Sequence, residues 1–445
     1  MALSPFDSEI TGPLVGDPQV AGLFYDHRQI REMLRVEAAL ARAQAKLQLI
    51  PVEAAEKISE AAETLQIDPA RLSDKTARNG VPVSALVAEL RQALDADAAR
   101  WVHYGATSQD IVDTALVLQL RALCDLIDTH CLSVIRKLAG LSQTHRATLA
   151  TARTRTQQAV PTSFGLKLAG WARPLSEERA RLSVLRPHLL RVQFGGAGGN
   201  LSVFGARGAE LSDALAAELD LTPVVPAWHA ERQSLLAFAD GLVRMTGALG
   251  KVGQDVAQLC QSEVGELRIA GAGGSSTMPQ KTNPVAAEVL VALARHAAAQ
   301  LSGLHQAQLH AQERDGAAWT LEWLALPQIC ATAGGALARA DELLDALEID
   351  ADRMAENAAG GRGLVLAEAA AFALADHLPR SQAQDLVAQA CRQTMAENRH
   401  LFDVLADLTD AEVDWDQLRQ PKTLVGGSPD LVDRALVSLA GDERT

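Results

Sequence analysis

The feature that most constrains this chain is a stretch of 27 residues, from Asp113 to Ala139, that contains neither proline nor glycine. Aliphatic residues recur along it at intervals of three, four and seven, the spacing that places side chains on one face of a helix. The residues of this apolar face are Leu116, Leu120, Leu123, Ile127, Val134, Leu138 and Leu141. Because such a helix is longer than the usual length of about three turns, a bundle of long helices packed side by side is predicted.

The segment from Glu231 to about Leu267 has the same pattern and also lacks proline, so a second helix of about 55 Å is predicted there. Its apolar face consists of Leu235, Leu242, Met245, Leu249, Val252, Val256 and Leu259. Further helices are predicted at about 162–190, 284–312 and 320–347. Pro174 is expected to kink the first of these three.

The composition also favours helices, because aromatic residues make up only 4% of the chain whereas Ala, Leu, Glu, Gln and Arg are abundant. Hydrophobic residues account for 48%, which is enough to bury a large core. We therefore predict an all-α fold of three helical domains, the central one a bundle of long antiparallel helices. The predicted domains are residues 1–105, 106–352 and 353–445, since proline and glycine interrupt the helical pattern in both flanking parts.

The formal net charge is −14, from 55 acidic and 41 basic residues. This excludes a global basic surface for nucleic acid but not a local basic pocket for an acidic small molecule. No run of 18 apolar residues and no secretory signal is recognisable, so neither a membrane-spanning helix nor export is expected. The five cysteines form no CxxC pair and no cluster with histidine, which predicts core residues of a reduced, cytoplasmic protein.

Three polar segments interrupt the helical pattern, and the first, His103–Asp110, directly precedes the long helix. Thr107 and Ser108 lie where that helix should begin, so their hydroxyls and the free N–H groups of the first turn could bind an anion. Plain N-capping, which needs no ligand, explains the same residues equally well.

The second polar segment is Ala152–Thr162, between two predicted helices. Arg153 and Arg155, with Thr154 and Gln157, could hold carboxylates through forked hydrogen bonds. A solvated turn between the two helices is the alternative.

The third polar segment, Gly271–Pro284, joins two predicted helices. Ser275 and Ser276 lie beside glycine N–H groups, where a hydroxyl can be activated and an oxyanion held, and Lys281 adds a positive charge. A simple linker is the alternative, but connections between helices usually need only about 2–8 residues.

These segments carry a resemblance to a known family. Residues 274–284, GSSTMPQKTNP, resemble the catalytic loop of the fumarase/aspartase superfamily, and residues 103–110 and 153–157 resemble its other two shared regions in the same order. The resemblance covers essentially the whole chain and implies a homotetramer. In each active site, three different subunits each supply one of the three shared regions. The resemblance also implies addition or removal of a group β to a carboxylate, through a carbanion held as an aci-carboxylate. This chemistry requires no metal and no organic cofactor.

Residues 312–328, QERDGAAWTLEWLALPQ, distinguish two branches of this superfamily. Adenylosuccinate lyases carry Ser-Ser-x-Glu-Arg here for a nucleotide phosphate, whereas this chain has Trp319, Thr320 and, in place of the arginine, Trp323. Tryptophan cannot provide a phosphate fork, although both tryptophans could instead be helix core residues. This run and residues 228–232, WHAER, resemble the 3-carboxy-cis,cis-muconate cycloisomerases of protocatechuate (β-ketoadipate) catabolism. Lactonisation of a small tricarboxylate is therefore expected; a C–N lyase like adenylosuccinate lyase and a catalytically silent structural protein are the alternatives.

The resemblance also implies roles for individual residues. Ser275 is expected to be the catalytic acid/base, with Ser276 as the alternative, and Lys281 is expected to assist catalysis by binding a carboxylate together with Asn283. The other expected substrate-binding residues are His103, Thr107, Ser108, Gln109, Thr154, Arg155, Gln157, Arg232, Met278 and Trp319. For His103 a purely structural role is the alternative. Arg155 stands where fumarases and adenylosuccinate lyases have a histidine, and because arginine cannot shuttle protons it is expected to bind substrate instead.

Overall fold

The computed structural model describes residues 4–271, 273–274, 278 and 281–442, with the side chains of residues 421, 422, 441 and 442 left out. The contacts between residues divide the chain into two compact units, each assembled from three segments. The first unit consists of Met1–Cys131, Glu178–Gly250 and Ala292–Arg339, and the second of Leu132–Glu177, Lys251–Val291 and Ala340–Thr445. The predicted organisation into three consecutive domains stays a prediction.

Helices dominate the described residues, which confirms the predicted all-α class. In chain order the helices of the first half are α1 (Gly12–Val15), α2 (Pro18–Leu23), α3 (Asp26–Lys46), α4 (Val52–Thr64), α5 (Ala70–Asn79), α6 (Val83–Gln92), α7 (Ala96–Ala99), α8 (Ser108–Thr144), α9 (Phe164–Leu189) and α10 (Gly208–Leu219). Those of the second half are α11 (Gln233–Leu259), α12 (Val285–Gln306), α13 (Gly316–Asp345), α14 (Ala351–Ala359), α15 (Ala367–Ala375), α16 (Arg380–Glu397), α17 (Leu401–Leu408), α18 (Trp415–Leu418), α19 (Pro421–Leu424) and α20 (Ser428–Asp442). Short 3-10 helices lie at Pro5–Asp7, Gly205–Arg207 and Gly361–Leu366.

The predicted apolar faces are largely buried in the two helices for which they were proposed. In α8 five of the seven predicted residues are at most 2% exposed, whereas Leu116 and Leu141 are half-buried, and the helix extends to 37 residues, beyond the predicted 113–139 at both ends. In α11 all seven predicted apolar residues are buried. The three other predicted long helices correspond to α9, α12 and α13, with ends that differ by one to six residues from the predicted ones.

The predicted end of α11 is wrong, because the helix stops at Leu259 and not near Leu267. The chain turns back after it, with Gly265 at a φ of +63° and the N–H of Glu266 donating to the Leu259 carbonyl. Residues 267–269, at the predicted end of the helix, instead form a strand that pairs with residues 347–349.

Two small antiparallel sheets were not predicted. In the first, β1 (Leu149–Thr154) and β2 (Gln157–Ser163) form a hairpin with a bulge between Ala152 and Arg153. In the second, β3 (Leu267–Ile269) pairs with β4 (Leu347–Ile349). The hairpin replaces the solvated turn considered for residues 152–162, and it carries Arg155 at its tip.

Among the residues that the structure describes, no single helix is long and apolar enough to cross a membrane. One bent pair, formed by residues 351–359 and 361–375, reaches the necessary length and composition only when the two helices are taken together. Cys124, Cys260, Cys330 and Cys391 carry free thiols.

Candidate active site

The first candidate region is the start of α8, where a side chain of the first turn reaches back to the residue that precedes the helix. Asp110 Oδ2 accepts the backbone N–H of Thr107 at 2.9 Å, the reach-back bond of a capping box. The Thr107 hydroxyl accepts a hydrogen bond from Arg314 Nη1 at 2.5 Å. Ser108, the first residue of the helix, is half-buried beside it. Thr107, Ser108 and the exposed Arg314 form a group of hydroxyls and positive charge at a helix N-terminus, which suits an anion.

The Asp110 carboxylate also anchors a glycine-rich loop. Its two oxygens accept the N–H groups of Gly195 and Gly196, both at 2.9 Å, and His229 Nε2 lies 2.7 Å from Oδ1. The loop needs glycine for this approach, since a Cβ on Gly195 would lie 2.8 Å from the His229 ring and Gly196 has a φ of +68°. The glycine N–H groups thus hold a protein carboxylate that is only 1% exposed, and they fix the first turn of α8 in place.

Asp113, one turn further along α8, belongs to a buried charge cluster with Arg232 and Glu322. The guanidinium forks onto both carboxylates, with bonds of 2.6 and 3.1 Å to Asp113 and of 2.8 and 2.6 Å to Glu322. It also stacks 4.7 Å above the Trp228 ring. Burial opposes its charge, but the two carboxylates outweigh burial and raise the pKa of Arg232 above its usual value.

This geometry corrects the prediction that Arg232 binds a substrate carboxylate. The Arg232 side chain is 0% exposed, and four of its five N–H groups already donate to Asp113 and Glu322. Arg232 therefore acts as a buried link between the 228–232 segment, α8 and α13.

Two further predicted substrate-binding residues are buried against the same cluster. Trp319 is 7% exposed, and its Nε1–H donates to Asp113 Oδ1 at 3.0 Å. Gln109 is 2% exposed, and its Nε2 donates to Asp113 Oδ2 at 3.1 Å and to the His229 carbonyl at 3.0 Å. The structure thus gives both residues core and positioning roles in place of the predicted substrate contact. For Trp319 it supports the core alternative, and its ring lies 4.7 Å from that of Trp323.

His103 lies in the turn that precedes α8 and has a left-handed backbone conformation, with a φ of +62°. Its Nδ1 lies 2.6 Å from Oε1 of the buried Glu37, and 18% of its side chain is exposed. Burial opposes protonation, but the Glu37 carboxylate outweighs it and, with a smaller effect from Asp110, raises the pKa of His103.

The second candidate region is the β1–β2 hairpin in the second unit. Thr154, Arg155 and Gln157 are all exposed at its tip, where Arg155 has a φ of +49°. Arg153 instead points back to the protein and forks onto Glu266 with bonds of 3.0 and 2.5 Å. Glu266 Oε1 also accepts from Asn357 Nδ2 at 2.8 Å. Arg153 therefore anchors the hairpin, while the neighbouring residues at the tip stay open to solvent.

The third candidate region is the base of the 271–284 segment, also in the second unit. Gly274 and Thr282 form an antiparallel bridge, and the Asn283 N–H donates to the Gly273 carbonyl at 3.2 Å. Lys281 and Met278 are both exposed. A cavity of about 670 Å³ opens here, and its lining includes Lys281, Asn283, Glu288, Arg268, Cys260 and Gln261. Ser275 and Ser276, the expected acid/base and its alternative, lie outside the described residues.

The candidate residues thus divide between the two units. The start of α8 and the buried cluster belong to the first unit, whereas the hairpin tip and the base of the 271–284 segment belong to the second. Within the described ranges, no group of three or more His, Cys, Asp or Glu side chains is arranged to hold a metal ion.

Sequence reasoning missed the residues that hold the site in shape, chiefly Asp110, Asp113, Glu322, Glu266 and Arg314. Asp110 lies inside a segment that the sequence singles out, and it shares one helix face with Asp113 three residues on. That pairing of two acids in the first turns of a long apolar helix was the available signal. Arg314 and Glu322 lie in the 312–328 run that the sequence also singles out, but Glu266 carries no comparable local signal.

Comparison with known proteins places the chain in a family. A family model described as lyase matches residues 18–299. The 3-carboxy-cis,cis-muconate cycloisomerase of Pseudomonas aeruginosa is 41% identical over 93% of both chains, and that of Bradyrhizobium diazoefficiens is 38% identical over 99% of both. The crystal structure of the 3-carboxy-cis,cis-muconate lactonizing enzyme of Pseudomonas putida covers 98% of this chain, with a TM-score of 0.92 and 38% identity. The chain belongs to this lyase family.

Proposed function

We propose that the chain lactonises 3-carboxy-cis,cis-muconate to 4-carboxymuconolactone. The observation that carries this proposal is the 41% identity to the Pseudomonas aeruginosa cycloisomerase, which extends over 93% of each chain. The chain also lacks the arginine of the phosphate fork found in adenylosuccinate lyases and has Trp323 in its place. Both observations favour a small polycarboxylate over a nucleotide.

The exposed donors suit a substrate with three carboxylates. Thr107, Ser108 and Arg314 offer hydroxyls, a helix N-terminus and a positive charge, which together can hold one carboxylate. Arg155, with Thr154 and Gln157 near it at the hairpin tip, offers a second group of donors. Lys281 with Asn283 offers a third group. We assign these three groups to the three carboxylates, with Met278 as a further contact.

In the proposed reaction one substrate carboxylate attacks a carbon of the diene and closes a five-membered lactone. Its oxygen forms the new C–O bond, the diene electrons move onto the carbon next to another carboxylate, and a proton is delivered to that carbon. We propose Ser275 as the residue that delivers the proton, with Ser276 as the alternative. The aci-carboxylate that develops meanwhile is stabilised by the cationic donors, above all Lys281.

This mechanism explains why an arginine is acceptable at position 155. The attacking carboxylate is already ionised at neutral pH, so no base is needed to activate a water or an amine. Arg155 stays protonated throughout and can hold the substrate, but it cannot transfer a proton. The proposal therefore gives Arg155 a binding role only.

We further propose a cytoplasmic homotetramer in which each active site takes residues from three subunits. Shared sites are what the resemblance of residues 103–110, 153–157 and 274–284 to the three shared regions of the superfamily implies. Exposed apolar side chains on long helices, such as Val184 on α9 and Leu324 on α13, support burial against partner helices. Light scattering should give a tetramer, and mixing Thr107→Ala with Ser275→Ala subunits should restore some activity. A monomer, or no complementation after confirmed subunit exchange, would contradict shared sites.

The decisive test of function is turnover by the purified chain. Lactonisation removes the conjugated diene, so the ultraviolet absorbance of 3-carboxy-cis,cis-muconate should fall on addition of the protein. The Ser275→Ala variant is the matched control for a contaminating activity. Cleavage of adenylosuccinate by the wild-type chain, without lactonisation, would replace the proposed function by a C–N lyase. No turnover of either compound would favour a structural protein.

A further inference from the structure

A buried carboxylate on α3 is directed at the histidine of the first candidate region. Glu37 Oε1 lies 2.6 Å from His103 Nδ1, and the Glu37 side chain is only 1% exposed. Its other oxygen, Oε2, is buried and has no partner among the described residues. A buried carboxylate with so few hydrogen bonds costs stability, so its presence indicates a role beyond packing.

The turn that carries His103 is held from two sides. Gln44, seven residues after Glu37 on the same helix, donates to the Tyr104 carbonyl at 2.7 Å. Gly105 has a φ of +73° and no room for a side chain, since a Cβ there would lie 2.2 Å from the Phe204 ring. His103 itself keeps a left-handed backbone, which is uncommon outside glycine and found most often where surrounding contacts impose it. The imidazole therefore has one defined position relative to Glu37.

The charged groups around His103 come from three helices. Glu37 on α3 and Asp110 on α8 favour the protonated ring, whereas Arg91 on α6 opposes it. The net result is a raised pKa for His103, because the two carboxylates outweigh burial and Arg91. With Nδ1 bound to Glu37, the ring has Nε2 left, which makes no hydrogen bond within the described part of the chain, and 18% of the side chain is exposed.

We propose that Glu37 is a positioning residue that holds His103 as a fixed cationic donor, so that the remaining Nε2–H binds a carboxylate of the substrate. The turn leads directly to the start of α8, since the Ala106 N–H donates to the His103 carbonyl and Thr107 follows. His103 thus offers the substrate carboxylate a charge-assisted hydrogen bond in addition to the donors Thr107, Ser108 and Arg314. The inference rests on the proposed function in one respect, namely that the ligand is a polycarboxylate.

The sign of the pH dependence follows from the raised pKa. A histidine whose folded-state pKa is raised is fully charged below its unfolded value, and it loses the charge as the pH rises through the folded value. Ligand binding that uses this charge should therefore weaken on the alkaline side. Without the Glu37 carboxylate the pKa of His103 falls, so the same weakening should begin at a lower pH.

The test uses tricarballylate, an unreactive saturated tricarboxylate, and titration calorimetry in two buffers of different ionisation enthalpy. At the same pH the wild-type chain should bind it with less proton uptake than Glu37→Gln, because the Glu37 carboxylate raises the pKa of His103. Glu37→Gln should bind at least about tenfold more weakly, which corresponds to about 1.4 kcal/mol. Its binding should be accompanied by proton uptake, and the affinity should recover at lower pH. Glu37→Asp, which keeps the charge, should restore part of the affinity.

Glu32→Gln is the matched control. Glu32 is another buried acid on α3, but it pairs with Arg28 and Arg35 and not with His103. In a His103→Gln background, Glu37→Gln should cause no further loss, because Glu37 acts through His103. Three results would each overturn the inference. They are unchanged affinity and proton uptake in Glu37→Gln, additive losses in the double variant, and no binding of tricarballylate by the wild type. The turnover assay with 3-carboxymuconate is independent, so failure of the proposed function can be recognised separately.

Discussion

Replacing Arg232 by glutamine should destabilise the protein by about 3–5 kcal/mol, the cost of removing one partner from a buried ion pair. The structure supports a value in this range because the change removes four hydrogen bonds of 2.6–3.1 Å at once. It leaves Asp113 and Glu322, which are at most 3% exposed, without a cation between them. Urea unfolding followed by far-ultraviolet circular dichroism at constant protein concentration measures the change.

Arg146→Gln is the control for this substitution, because Arg146 also forks onto a carboxylate, Asp433, but the two side chains are 34% and 49% exposed, so the loss should be much smaller than in Arg232→Gln. A loss below about 1 kcal/mol in Arg232→Gln would refute the assignment of Arg232 as a buried link.

Three further outcomes are expected. Arg155→Ala should raise KM for 3-carboxymuconate about tenfold or more, in steady-state assays, and Arg155→His should not introduce adenylosuccinate cleavage; an unchanged KM would remove Arg155 from the site. Ser275→Ala should lower kcat by about 10²–10⁴-fold with helicity unchanged, and near-normal kcat would shift the acid/base role to another residue. Gly165→Ala should lower the thermal midpoint, because the new Cβ would lie 2.6 Å from the Ser142 carbonyl and 2.7 Å from that of His145; a midpoint equal to wild type would show that the backbone can move apart there.

The interior of the long helices could be predicted from the sequence, but their ends could not. The apolar face of α8 follows from the spacing of its aliphatic residues, and Leu120, Leu123 and Ile127 are indeed buried. The helix begins at Ser108, where the Asp110 side chain accepts the N–H of Thr107, a contact that spacing does not reveal. The end of α11 and the β1–β2 hairpin depend on strand pairing, which periodicity within one helix cannot indicate.

The candidate site was predictable where local structure determines its chemistry. Thr107 and Ser108 were placed at a helix start from the sequence, and they lie there. Arg232 was assigned a wrong role because an arginine in a polar segment looks the same whether its carboxylate belongs to a substrate or to the protein. Its partners, Asp113 and Glu322, are 119 and 90 residues away along the chain, so only the folded structure identifies them.

The way the β1–β2 hairpin is anchored has a consequence for how this scaffold can change its chemistry during evolution. Glu266 holds the hairpin through Arg153 and also binds Asn357, and none of these bonds involves residue 155. The residue at the tip can therefore be exchanged without loosening its support. A chain with a histidine at this position could thus keep the same hairpin and differ from this one in whether the tip can transfer a proton or, as proposed for Arg155, only bind charge.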